Sequence, residues 1–142
     1  MSKVKRKLTT ILATDCVGFS KRMDENEELT LENLKACRSI IDPQIKEFGG
    51  RIFYTAGDSV IAEFESPVEC VNAAIGFQKA INDRNNTLPQ ESQLDWRVGI
   101  HLDDVIIEGD NVYGNGVNIA ARLETACSPC LLYTSPSPRD CQ

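Results

Sequence analysis

Residues 51–64, RIFYTAGDSVIAEF, restrict the fold more than any other stretch of the chain. Two apolar runs with strand character, 51–55 and 59–64, flank a turn built on Gly57 and Asp58. Glycine accepts a positive φ and aspartate tolerates one, so this pair suits a tight hairpin. Strands joined so directly lie antiparallel in one sheet. The turn also poses a chemical question. Asp58 is either a polar tip that keeps two strands apart or a carboxylate held at the sheet edge to grip a cation.

Residues 8–14 (LTTILAT) read as a buried first strand that delivers Asp15 at its C-terminal end. CVGFS follows as a short turn with Gly18. Across residues 29–48, Leu34, Cys37, Ile41, Ile45 and Phe48 recur at three- and four-residue steps, the period of an amphipathic helix. Asp42-Pro43 interrupts it, as a kink or as a restart with Asp42 as cap, and Gly49-Gly50 ends it. Ser66-Pro67-Val68-Glu69 is a capping box with proline at the first helical position. Its helix runs to about residue 85, with Val68, Val71, Ile75 and Ile81 inward. After a polar loop, LDWRVGIHLDDVIIEGD reads as two extended segments meeting near Asp103-Asp104, NVYGNG as a glycine turn, and residues 116–126 as a last helix. Helices packed on a largely antiparallel sheet make an α+β domain. The sequence from 127 to 142 has no period and carries Pro136 and Pro138. It reads as an irregular, disordered or foreign tail behind a domain, 1–126, that is incomplete at its C-terminal end.

Composition narrows the partners. Fifteen Lys and Arg stand against 21 Asp and Glu, a net charge of −6 in 142 residues. That balance leaves no footprint for nucleic acid or an anionic membrane, and a bound phosphate would need a metal or a local cationic pocket. The basic first residues are not followed by an apolar stretch of signal or membrane length, so a cytoplasmic location is the default expectation. Cys16, Cys37 and Cys70 lie inside apolar patterns, where a thiol acts as a small hydrophobe. Cys127-Ser128-Pro129-Cys130 has the spacing of a zinc or redox pair but lacks a second pair and a nearby histidine.

Two acids and one helix carry candidate chemistry. Carboxylates brought from separate strands to one edge are how proteins hold Mg²⁺ beside substrate phosphates. Exposed aspartates at strand ends are common, but Asp15 and Asp58 together, next to backbone amides freed by Gly18, point to a metal site. On the last expected helix, Asn118 and Arg122 are four residues apart and share a face, an amide and a guanidinium suited to a phosphoryl oxygen. Taken alone, that face reads rather as solvated, with Arg122 paired to a surface acid.

ILATDCVGFS, GRIFYTAGDSVIAEF, VGIHLDDVIIEGD and VYGNGVNIAARLE occur in an order and spacing that resembles the class III nucleotidyl (adenylate/guanylate) cyclase catalytic domain of the soluble bacterial type, over roughly residues 7 to 126. The resemblance implies the ferredoxin-like (palm-type) sheet of that family and conversion of a nucleoside triphosphate, ATP or GTP, to a 3′,5′-cyclic nucleotide and pyrophosphate. It implies two Mg²⁺ (or Mn²⁺) ions on Asp15, Asp58 and the Cys16 carbonyl. The amides of Gly18, Phe19 and Ser20 would touch phosphate, Asn118 would orient the ribose, and Arg122 would stabilise charge at the α-phosphate. It also implies a head-to-tail homodimer, with metals from one chain and the Asn118/Arg122 helix from the other.

The chain departs from the family pattern at the base pocket. Tyr54 stands where adenine-selecting members carry lysine, and Asn111 where they carry the partner acid. Asp104 stands where some members place a triphosphate-binding arginine, and the last strands with their lysine are missing. ATP is the expected substrate on the bacterial resemblance alone. Two rivals follow: a catalytically silent nucleotide-binding regulatory domain of the same fold, and a phospho-acceptor signalling domain. The second requires parallel strand-helix repeats, against which the Gly57-Asp58 hairpin stands.

Overall fold

The structure, a computed structural model, describes residues 4–109, 111–113 and 132–134. Its elements run β1 (Val4–Cys16), α1 (Phe19–Glu25), α2 (Glu27–Glu47), β2 (Arg51–Ala56), β3 (Ser59–Phe64), α3 (Pro67–Asn85), β4 (Trp96–Glu108), β5 (Asn111–Tyr113) and β6 (Leu132–Thr134). The strands form one sheet in the order β2-β3-β1-β4-β5, with β6 also on β4. Every pairing is antiparallel except β4 with β6, so the expected α+β architecture holds.

β1 is central because it is apolar on both faces. Leu12 and Cys16 point to the helix side, with Val60, Ala62, Phe64, Trp96 and Val98 of neighbouring strands and Ile41, Ile45 and Phe77 of the helices. Ile11 and Ala13 point the other way, into a smaller cluster with Val105 and Val112. A strand buried on both faces reads as a continuous apolar run rather than an alternation. Two of its threonines are bonded across the sheet: Thr9 Oγ1 donates to the Phe64 carbonyl at 2.9 Å and Thr14 Oγ1 to the Arg97 carbonyl at 2.7 Å. Free thiols at Cys16, Cys37 and Cys70 are buried, and burial pushes Cys16 and Cys70 up to about 12, which keeps them inert.

Several local expectations need correction. Pro43 does not restart a helix, because α2 runs through it. A proline there deprives the Ser39 carbonyl of its donor, but Ser39 is exposed and water can serve it. Arg38 also clasps Asp42 across this turn at 2.8 and 2.9 Å. In α3 the inward face is Cys70, Ala73, Ala74, Phe77 and Ile81, while Val68 and Ile75 are 67% and 55% exposed. Small residues let α3 approach α2 closely; a Cβ at Gly76 would sit 2.7 Å from Gln44 Oε1. Ser66 caps α3 through the Glu69 amide, but the Glu69 carboxylate turns to Asn72.

The two segments expected to meet at Asp103-Asp104 are one 13-residue strand. A pairing with β1 that runs from Val4↔Glu108 to Cys16↔Trp96 holds both aspartates extended, opposite Thr9 and Leu8. The turn falls later, at Gly109 (φ 62°), and Asn111–Tyr113 is strand. In the tail expected to be irregular, Leu132–Thr134 pairs with Val98–Ile100, since leucine, tyrosine and threonine suit a strand. The last expected helix, 116–126, lies outside the described residues. Among the described residues no helix is long and apolar enough to cross a membrane.

Candidate active site

The hairpin that opened the sequence question places its tip beside the end of β1. β3 pairs with β1 in the register Thr14↔Val60, so the Gly57-Asp58 turn lies level with the last residues of β1. Gly57 takes φ 58°, the left-handed conformation the turn needs. Asp58 then reaches back across 42 residues of sequence, and its Oδ2 accepts the Cys16 amide at 2.8 Å. This bond locks the hairpin tip to the strand end that carries Asp15.

Asp15 and Asp58 share an open cleft of about 470 Å³ with Cys16, Gly18, Phe19 and Ser20. The structure thus brings together the expected metal-holding residues and the expected phosphate loop. Gly18 adopts φ 64°, which turns the chain sharply out of β1 and into α1. Burial pushes the Asp58 carboxyl above its ordinary range, and the neighbouring Asp15 charge adds to this, whereas the Cys16 amide opposes it. A desolvated carboxylate beside a second acid is a place where a divalent cation would restore charge balance. Among the described residues no group of three or more His, Cys, Asp or Glu forms an all-protein cage. Two carboxylates and a strand-end carbonyl fit Mg²⁺, which keeps waters and takes substrate phosphates as its remaining ligands.

Two cations in the cleft were not anticipated from the sequence. Arg97 forks onto Asp15, Nε to Oδ1 and Nη2 to Oδ2, each at 3.0 Å. The alternation of buried Trp96 and Val98 places Arg97 on the opposite face, but only the β1–β4 register sets it against Asp15. Lys21 lines the same cleft from the first turn of α1. Its signal was its place three residues after Gly18.

The expected base-pocket residues lie elsewhere. Tyr54 is 52% exposed on the edge strand β2, where a bulge at Phe53 shifts the register so that Tyr54 pairs with Ile61. Asn111, also exposed, pairs with Glu108, which in turn pairs with Val4. Asn111 and Asp15 are therefore separated by almost the full 13-residue length of β1, a strand path on the order of 35–40 Å at about 3.3 Å per residue. Asn118 and Arg122 lie outside the described residues.

The sequence model of the family described as "Adenylate and Guanylate cyclase catalytic domain" matches residues 2–139. "Putative adenylate cyclase 3" of Rhizobium meliloti (strain 1021) is 37% identical over 127 residues, covering 89% of this chain and 22% of that protein. The chain spans between 15% and 22% of the length of the curated relatives it matches. The crystal structure of an adenylate/guanylate cyclase/hydrolase from Silicibacter pomeroyi superposes with a TM-score of 0.88 at 34% identity, covering 94% of this chain and 78% of that one. That of the guanylyl cyclase Cya2 superposes with a TM-score of 0.83 at 22% identity, covering 99% and 80%, and supports the fold alone.

Proposed function

The chain belongs to the adenylate and guanylate cyclase catalytic domain family, and on that premise we propose that it converts ATP to 3′,5′-cyclic AMP and pyrophosphate for intracellular signalling. The observation that carries this is the Asp58–Cys16 bond, which sets two carboxylates from separate strands in one cleft with the loop Gly18 to Ser20. Asp15, Asp58 and the Cys16 carbonyl would hold the metal ions. Two divalent ions held there would lower the pKa of the ribose 3′-hydroxyl and would neutralise charge on the pyrophosphate.

The chain's own groups do the positioning. Amides of Gly18, Phe19 and Ser20 donate to phosphate oxygens, and Lys21 meets the charge of the triphosphate tail. Asn118 orients the ribose, and Arg122 donates to the oxygens that gain charge at the α-phosphate. Tyr54 and Asn111 contact the base. Preference for ATP is supported by the name of the Rhizobium relative.

A head-to-tail homodimer completes the site. The long separation of Asn111 from Asp15 supports this arrangement, because one chain does not bring its own Asn111 to its own metal cleft. The cytoplasm, where nucleoside triphosphates are available, is the proposed location. The test is formation of cyclic nucleotide and pyrophosphate from ATP and Mg²⁺. Native protein should turn over and Asp58→Ala should not. Near-native turnover by Asp58→Ala would overturn the assignment.

A further inference from the structure

We infer that Arg97 is a positioning residue for Asp15 that also competes with a divalent cation for the same carboxylate, an inference that rests on the metal role proposed for Asp15 and Asp58. Both guanidinium contacts are 3.0 Å, and the paired side chains are only 23% and 17% exposed. The backbone beneath them is fixed twice, by the Asp15↔Arg97 register and by the bond from Thr14 Oγ1 to the Arg97 carbonyl. A planar fork on a fixed backbone sets the carboxylate's plane and rotamer, which a point charge does not do.

The same fork engages both Asp15 oxygens. A cation bound at Asp15 must use the remaining lone pairs beside a full positive charge, or displace one arm of the fork. Arg97 therefore gives the acid the right orientation while weakening its hold on the ion. It also neutralises part of the charge that Asp15 and Asp58 would otherwise present to each other when no metal is bound.

The test is Mn²⁺ binding to the whole 142-residue chain, read by electron paramagnetic resonance, with Asp58→Ala as the site control. Arg97→Gln should tighten the Asp58-dependent Mn²⁺ site roughly tenfold, the factor expected for removing one unit charge about 6 Å from a divalent ion under near-water screening. Arg97→Lys keeps the charge but frees one oxygen, and should tighten it by roughly threefold. The Lys variant carries the test alone if circular dichroism shows that the Gln variant does not fold. Unchanged or weaker Mn²⁺ binding in a folded variant overturns the competition between Arg97 and the cation while leaving the metal site intact. Absence of Asp58-dependent binding in both native and variant chains overturns the metal site and this inference with it.

Discussion

Replacing Asp58 by asparagine should stabilise the metal-free protein, while replacing it by alanine should not. Burial raises the Asp58 carboxyl above its ordinary 3.8, with Asp15 adding to the effect, so its charged form is disfavoured in the folded chain. Below 3.8 both folded and unfolded chains carry the proton and the group contributes nothing. As pH rises from 3.8 through the raised folded value the native chain becomes progressively less stable. The asparagine side chain would be uncharged throughout yet could still accept the Cys16 amide, now bonded at 2.8 Å. Alanine removes the charge but leaves the amide of Cys16, a residue only 2% exposed, without its acceptor. An unsatisfied buried donor costs about 2 kcal/mol. For a chain of this size that places Asp58→Ala roughly 4–8 °C below Asp58→Asn. Thermal unfolding followed by circular dichroism in EDTA reads both differences. Asp58→Asn should melt above native at neutral pH and lose that advantage as pH falls toward the ordinary carboxylate range. Added Mg²⁺ should raise native Tm but neither variant's. Melting of Asp58→Asn below native in EDTA would refute the claim that a desolvated charge is held here, and coincident melting of the two variants would refute the claim that the buried Cys16 amide depends on its acceptor.

Gly50→Ala should destabilise by about 1–3 kcal/mol through overpacking, because its Cβ would lie 2.5 Å from Phe64 Cζ and 2.7 Å from Ile45 Cγ2; an unchanged Tm would show that the α2–β2 junction is looser than described. If Tyr54 and Asn111 contact the base as proposed, Tyr54→Lys with Asn111→Asp should sharpen the preference for ATP mainly by lowering kcat/KM for GTP, since a pocket that pairs one purine edge leaves polar groups unpaired against the other. Equal discrimination by the unmodified domain would remove these two positions from base choice.

What could be read in advance was local. The Gly57-Asp58 turn, the Asp15 strand end and the period of α2 each declare themselves within a few residues, because turn chemistry and helical spacing are short-range properties. The continuity of β4 is not local: Asp103 and Asp104 look like a break until thirteen residues of β1 are laid against them. Arg97 was missed for the same reason, since only register puts it opposite Asp15. In α3 both faces carry apolar residues, and the choice between Val68/Ile75 and Cys70/Ala74/Phe77 depends on how closely α2 approaches. The residues that the family resemblance assigns to the α-phosphate, Asn118 and Arg122, fall outside the described residues, so their part in the site is a proposal for experiment.

That experiment is complementation. On the proposed arrangement, Asp58→Ala removes a metal ligand from the cleft of its own chain, and Arg122→Ala removes the guanidinium that would serve the partner's cleft. In a head-to-tail dimer of one chain of each kind, both lesions fall in the same site and the other site is unmutated. Each variant alone should be inactive in cyclic nucleotide formation. An equal mixture should recover about a quarter of native activity, because half the dimers are mixed and each has one of two sites intact. No recovery from a mixture shown to contain heterodimers would contradict a site shared between chains.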